Sequence, residues 1–277
     1  MKILITGSKG QLGKELNKQL MNKKDVELIL TDQHSLDITD LNAVNKIMLE
    51  NKPGIVINCA AHTAVDLCET DRENAFRINA IGPENLARAT NRLDIPIIHI
   101  STDYVFDGEK KDKYIEIDNT NPQTVYGQTK LEGEKRIRQN NPKYYIIRTA
   151  WLYGDGNNFV KTMIDLTKDK DEIKVVNDQF GTPTSTAELS KAIITLMYSN
   201  EFGLYHGTCE GKCSWYEFSN EIFRLRGLDV KTIPITSEEF SRPAKRPRYS
   251  VLENLNLKQK FNYFFSDWEK ALFNFFK

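Results

Sequence analysis

The N-terminus of this sequence restricts the possible folds more than any other stretch. Lys2 to Thr6 is a short apolar run, KILIT, that stops at a glycine. Gly7, Gly10 and Gly13 follow in the pattern G-x-x-G-x-x-G, and Lys14 to Asn22 has the periodicity of an amphipathic helix. A buried strand, a tight glycine turn and a helix in direct succession leave few architectures open. One glycine permits the turn, one lets a ligand approach the backbone, and one lets the helix pack close to the strand. The unpaired N–H groups that open such a helix attract phosphate. The pattern points to a dinucleotide cradled by Gly7, Gly10 and Gly13.

The chain beyond repeats the strand-helix alternation. Val26 to Thr31, Ile55 to Ala60, Pro96 to Ser101 and Tyr144 to Thr149 are apolar strands, with helical stretches at Thr39 to Leu49 and Arg72 to Leu93. Alternation of this kind implies parallel pairing, and strands apolar on both faces imply helices on both sides. The expected fold is therefore α/β: a doubly wound parallel sheet of Rossmann type over residues 1–148, completed by the helix near 184–200. Residues 149–277 read mainly as a second, smaller α/β domain for substrate. That region carries strand-like pieces at Lys174 to Val176 and Val230 to Ile235. Its helices are Thr186 to Tyr198 and Trp215 to Arg226, and Trp268 and Leu272 share a helical face near the end. The run SRPAKRPRY, Ser241 to Tyr249, can be neither a regular helix nor a central strand.

Composition excludes several function classes. Lys plus Arg and Asp plus Glu each number 38, giving zero net charge, so no basic excess speaks for nucleic acid. No apolar run approaches membrane-spanning length. The first apolar run ends too soon for a signal peptide, so the cytoplasm is the expected compartment. Cys59, Cys68, Cys209 and Cys213 fit neither a redox pair nor a common zinc spacing and read as free thiols. No metal site is expected.

The candidate chemistry lies along the carboxyl ends of the strands, where ligands of such sheets sit. Asp32 closes the second strand and is placed to accept from ribose hydroxyls. It predicts a preference for NADH over NADPH, because a 2′-phosphate would face a carboxylate, although Lys9 and Lys14 lie nearby. Asp37 either approaches the adenine or caps the helix that starts near Asp40. Ala60 and Ala61 are small enough for a cofactor to lie flat against them, and His62 reads as a loop histidine packed beside it. Tyr126 and Lys130 stand four apart at the start of a strongly helical stretch and share one face. A tyrosine is a poor acid–base group at its ordinary pKa near 10, and a neighbouring ammonium is expected to lower it. Tyr126 then hands a proton to a carbonyl oxygen that accepts hydride from a nicotinamide. Thr102, just past the Pro96 to Ser101 strand, can hold the same oxygen, and Asp103 beside it tunes the site or holds substrate. Arg242 and Arg246, interleaved with prolines, are candidates for gripping a diphosphate.

These blocks together resemble the extended short-chain dehydrogenase/reductase superfamily and, within it, the dTDP-4-dehydrorhamnose reductase family. The resembling stretches are TGSKGQLG (6–13), LDITD (36–40), NCAAHTAVDLCE (58–69), STDYVFDG (101–108), NPQTVYGQTKLEGE (121–134), RTAWLYG (148–154) and NDQFGTPT (177–184). The resemblance implies NADH- or NADPH-dependent reduction of the C4 keto group of dTDP-4-dehydro-L-rhamnose to dTDP-L-rhamnose. It implies Tyr126 as catalytic acid, Lys130 as its support, Thr102 and Asp103 on the substrate, and Trp151 packed on the sugar. It places Gly10, Gln11 and Leu12 at the pyrophosphate, with Asp32, Asp37, Ile38, Ala61, His62 and Thr63 around the rest of the cofactor. Some members dimerise through magnesium. Glu15 and Glu188 match two of the acidic positions, but the C-terminal glutamate lacks a counterpart, so both read as solvent-facing and magnesium is not favoured. The partner expected is a nucleotide sugar, with no nucleic acid or membrane, for a monomer or homodimer. The rival readings are a reductase, epimerase or dehydratase of another nucleotide sugar, or a non-catalytic dinucleotide-binding subunit.

Overall fold

The computed structural model describes all residues from Met1 to Lys277. The first half contains β1 (Lys2–Thr6), α1 (Gln11–Leu20), β2 (Glu27–Leu30), α2 (Leu41–Asn51), β3 (Ile55–Asn58), α3 (Val65–Cys68), α4 (Arg72–Phe76), α5 (Gly82–Arg92), β4 (Ile97–Thr102), α6 (Val125–Asn140) and β5 (Tyr144–Thr149). There follow β6 (Leu152–Tyr153), α7 (Phe159–Leu166), β7 (Glu172–Val176), β8 (Phe180–Gly181), β9 (Thr184–Ser185), α8 (Thr186–Met197) and β10 (Gly203–His206). The chain closes with β11 (Cys213–Ser214), α9 (Trp215–Arg226), β12 (Lys231–Ile235), α10 (Leu255–Phe261) and α11 (Trp268–Phe275).

Six strands form one sheet in the order β10-β5-β4-β3-β1-β2, every pair parallel. Side chains alternate across it, as a period of two requires. Ile3 and Ile5 pack with Leu12, Leu16 and Leu20 of α1 and with Leu189, Ile193 and Leu196 of α8. Leu4, between them, packs on the other face with Val44 and Met48 of α2, Leu86 of α5 and Ile137 of α6. The doubly wound arrangement expected from the sequence is the one observed. The sheet nevertheless draws on chain well past residue 148, because β10 joins it alongside β5. A separate core gathers Tyr153, Val160, Met163, Phe218, Ile222, Trp268 and Leu272 around the parallel pair β12–β7. No helix is long and apolar enough to cross a membrane.

The stretch expected to be helical from Arg72 to Leu93 is interrupted. Between α4 and α5, residues Arg77–Ile81 wind as a π-helical turn. Such turns often occur at functional sites, and here the buried Asn79 points its amide at the loop after β3.

A buried ion pair pins α6 to the sheet. Glu134 accepts two bonds from the Arg148 guanidinium, 2.9 Å from Nε to Oε1 and 2.7 Å from Nη2 to Oε2, and a third from the Ser101 hydroxyl at 2.6 Å. Both charged side chains are almost wholly excluded from water. Removing one partner of such a pair leaves an uncompensated charge, at a cost of about 3–5 kcal/mol. Glu134→Gln is expected to lower the urea unfolding midpoint by a stability loss of about 3 kcal/mol. An unchanged midpoint would show that the pair contributes nothing.

Candidate active site

A cleft of about 1060 Å³ opens at the carboxyl ends of the strands, beside the point where the strand order reverses between β1 and β3. Gly7 begins it with a left-handed φ of +64°, and a Cβ there would come within 2.8 Å of the Cys59 carbonyl carbon and closer still to the Ala60 nitrogen. Gly13 faces the carbonyl of Gly7 so closely that a Cβ would overlap it, which brings α1 hard against the turn. Gly10 precedes α1 and offers no side chain to cap it, so the first N–H groups of the helix are left for a ligand. Gly7, Gly10, Gln11, Leu12 and Gly13 all line the cleft, as do Asp32, Asp37, Ile38, Ala61 and Thr63. This lining suits a dinucleotide, with phosphates over the helix start and the nucleoside beside Asp32.

Asp32 is more heavily engaged than its sequence position suggests. Its Oδ1 accepts from the backbone N–H groups of His34 and Ser35 at 3.0 and 3.1 Å. Its Oδ2 is paired with the Lys9 ammonium from the glycine turn. The Lys9 contact holds the carboxyl well below the usual carboxylate range. Asp40, not Asp37, caps α2 by accepting from Asn42 and Ala43, while Asp37 accepts from the Thr39 N–H at 2.8 Å. His62 does not line the cleft. Asn79 holds its backbone at both N–H and C=O, and its ring meets Cys68 Sγ at 3.3 Å and Asp71 at 3.5 Å. A cysteine, a histidine and an aspartate in line suggest an activated thiol, but burial pushes Cys68 up to about 11, so the thiol stays protonated.

Tyr126 and Lys130 occupy the first turns of α6, which Thr124 caps by accepting from the Gly127 N–H at 3.1 Å. Both line the cleft, together with Thr102 and Asp103 from the end of β4. The expected lowering of the Tyr126 pKa by Lys130 does not occur. Desolvation pushes the phenol above its usual value, with the Thr102 hydroxyl opposing it and the Asp103 charge adding to it. Lys130 is itself buried, which lowers it to about 8 against the pull of Glu134, and its Nζ donates to the Ile100 carbonyl at 2.6 Å. The Thr102 hydroxyl donates to Asp103 Oδ1 at 2.8 Å, while Asp103 Oδ2 is buried without a partner. Burial raises this carboxyl to about 6.

The far wall is aromatic. Trp151 has a left-handed φ of 47°, a strained backbone for a bulky residue, and its ring stacks on Trp215 at 3.4 Å with planes 5° apart. Phe159 and Phe218 continue this wall. The sequence reading missed Trp215 and Asn79; a tryptophan opening a predicted helix was the only signal for the first, and nothing local marks the second. Arg242 and Arg246 lie outside the cleft lining. Both engage Asp66 of α3, Arg246 with two bonds of 2.9 Å and Arg242 at 3.4 Å. Glu188 does not face solvent as expected. It is buried on α8, with one oxygen on the Lys191 ammonium at 2.6 Å and the other on the Ser266 N–H at 3.2 Å. Glu15 accepts from Gln19 at 2.8 Å.

A parallel doubly wound sheet, a glycine turn at its switch point and a Tyr–Lys helix over the same cleft define an NAD(P)-dependent oxidoreductase of Rossmann type. Comparison with known proteins narrows the class. The chain belongs to the family described as RmlD substrate binding domain, whose model matches residues 1–277. A solved dTDP-4-dehydrorhamnose reductase from Clostridium acetobutylicum superposes with a TM-score of 0.98 at 57% identity, covering 100% of this chain and 98% of that one. Another from Bacillus anthracis, in complex with NADP, has a TM-score of 0.97 at 41% identity, covering 99% and 98%. The dTDP-4-dehydrorhamnose reductase of Aggregatibacter actinomycetemcomitans is 40% identical over 286 aligned positions, 99% of this chain and 97% of that protein.

The raised Asp103 pKa has a consequence for stability. The folded protein holds this proton more tightly than the unfolded chain does, so the stabilisation is complete below pH 3.8 and is lost as pH rises to about 6. Asp103→Asn is therefore expected to raise the thermal midpoint over the native protein at pH 8 and to raise it much less at pH 4. Equal effects at both pH values would show that Asp103 titrates normally.

Proposed function

We propose that this chain reduces the C4 keto group of dTDP-4-dehydro-L-rhamnose to dTDP-L-rhamnose, using NADH or NADPH. The observation that carries the reading is that Tyr126, Lys130, Thr102 and Asp103 meet in the cleft that the glycine turn enters. NAD(P)H, when bound, supplies hydride to the carbonyl carbon. Gly7, Gly10, Gln11, Leu12 and Gly13 hold its pyrophosphate, and Asp32, Asp37, Ile38, Ala61 and Thr63 surround its adenosine, while His62 behind them packs on Asn79 and Cys68. Tyr126 gives its proton to the developing alkoxide. The site that raises the phenol pKa keeps it protonated until that charge appears. Thr102 and Asp103 orient the substrate oxygen, Lys130 orients the nicotinamide ribose, and Trp151 with Trp215 packs on the sugar. The Lys9 ammonium offsets the charge of Asp32, so the carboxylate that would repel a 2′-phosphate is neutralised and both cofactors are accepted. A dehydratase needs a further acid–base group beside Asp103, and Tyr104 stands there instead. Simple reduction consumes one NAD(P)H per sugar, while an epimerase or dehydratase recycles it. Free thiols at all four cysteines suit a reducing compartment, which fits work in the cytoplasm as a monomer or homodimer.

Tyr126→Phe is expected to cut turnover by about a hundredfold or more, with NAD(P)H affinity by fluorescence titration nearly intact. Native turnover in that variant would remove Tyr126 from its role.

Arg242 and Arg246, both held by the Asp66 carboxylate outside the cleft lining, would meet the substrate diphosphate by exchanging Asp66 for it. Arg246→Met is expected to raise KM for the nucleotide sugar by about tenfold, the order of a lost charged hydrogen bond, and to leave KM for NAD(P)H unchanged. An unaltered sugar KM in this variant and in Arg242→Met would move the diphosphate elsewhere.

A further inference from the structure

We propose that His99 is a positioning residue for Lys130, presenting it with a proton instead of a lone pair through a buried hydrogen-bond chain of fixed direction. The chain starts at Asn58, which is wholly buried at the end of β3. Its Oδ1 accepts from the Thr6 hydroxyl at 2.6 Å and from the Ala60 backbone N–H at 3.1 Å. A backbone N–H can only donate, so the orientation of the Asn58 amide is settled. Its Nδ2 must then donate to His99 Nδ1, 2.9 Å away. His99 is buried and its pKa is driven well below the usual value, so the ring is neutral and its single proton lies on Nε2. Nε2 faces Lys130 Nζ at 3.3 Å.

Two donors oppose each other while Lys130 is an ammonium ion. The neutral amine fits: its lone pair accepts from His99 Nε2–H while one N–H donates to the Ile100 carbonyl. The other titratable neighbours are Cys59 past the end of β3 and Glu134 on α6 itself, and both favour the ammonium. His99 thus makes the Lys130 proton easy to release. Once Tyr126 has given its proton to the substrate oxygen, Lys130 can supply the replacement through solvent in the cleft that both residues line. An N–H bond on Nζ breaks, an O–H bond forms on the phenolate, and the resulting amine is the form His99 is set to hold. Solvent then reprotonates the amine.

The functional part of this inference rests on the reading of the chain as a reductase, but its first test does not. Nitrogen-15 NMR of the protein labelled at its four histidines, with His99 assigned by the missing signals of His99→Gln, reports the tautomer directly. The expected result is a neutral ring protonated at Nε2 and bare at Nδ1 from pH 6 to pH 9. A proton on Nδ1 overturns the proposal, whatever the enzyme reduces. The second test is Asn58→Asp, in which a carboxylate oxygen accepts from Nδ1–H and turns the Nε2 lone pair toward Lys130. With an acceptor beside it the ammonium persists to higher pH. The alkaline fall in kcat, expected near pH 8 in the native protein, should then move up by about one pH unit or more. A reversed tautomer with an unmoved alkaline limb overturns the link from His99 to Lys130. An Nε2 proton in a chain that reduces no nucleotide sugar would overturn the reductase reading alone.

Discussion

The buried amide of Asn58 is the interaction on which the rest of the site depends. It ties β1 through Thr6, its own loop through Ala60, and β4 through His99. Those three partners meet where the sheet changes direction, the one place in a doubly wound fold where a crevice opens between neighbouring strands. The same crevice takes the glycine turn on one side, with Gly7 pressed against Cys59 and Ala60, and Lys130 on the other. An unmade bond at any of these buried groups costs about 1–3 kcal/mol, so the glycine turn and the start of α6 are held in register by one buried side chain.

Around that fixed point the site stores polarity and strain in a resting form. Tyr126 is kept protonated by desolvation, Asp103 leaves an oxygen without a partner, and Trp151 combines a left-handed backbone with a face-to-face stack on Trp215. Two cations near the cleft are occupied as well, Lys9 by Asp32 and Arg246 by Asp66, so neither partly buried charge stands alone, which is the costly alternative.

Much of this was legible in the amino-acid order, and the division between what was and was not has physical causes. The strands, the glycine turn and the Tyr126–Lys130 face are local patterns, set by periods of two and of about 3.6 residues. The start of α2 near Asp40 is likewise local, although Asp40 and not Asp37 caps it. The pKa of Tyr126 was read the wrong way because desolvation depends on what packs over a residue, whereas the sequence displays only its charged neighbour. Glu188 was assigned to solvent for want of a third acidic partner, and Lys191 and the Ser266 backbone instead enclose it. The π-helical turn at Asn79 and the pairing of Arg246 with a residue far earlier in the chain have no local mark at all.

The strand β10 bears on how this fold can be cut and recombined. It comes after the first segments of the substrate layer, yet hydrogen bonds to β5, and α8 just before it packs against α1. A fragment ending at the close of β5 would expose that strand as a bare, strongly apolar edge, the kind that recruits other chains. It would also strip one side of Leu12, Leu16 and Leu20. The two halves are therefore not beads on a string. A chimera that grafts the substrate-facing parts onto a relative must leave α8 and β10 with the N-terminal sheet and exchange only the segments on either side, as two separate inserts. New sugar specificity would then arise by replacing inserts within one cooperative body, more like changing loops than swapping modules.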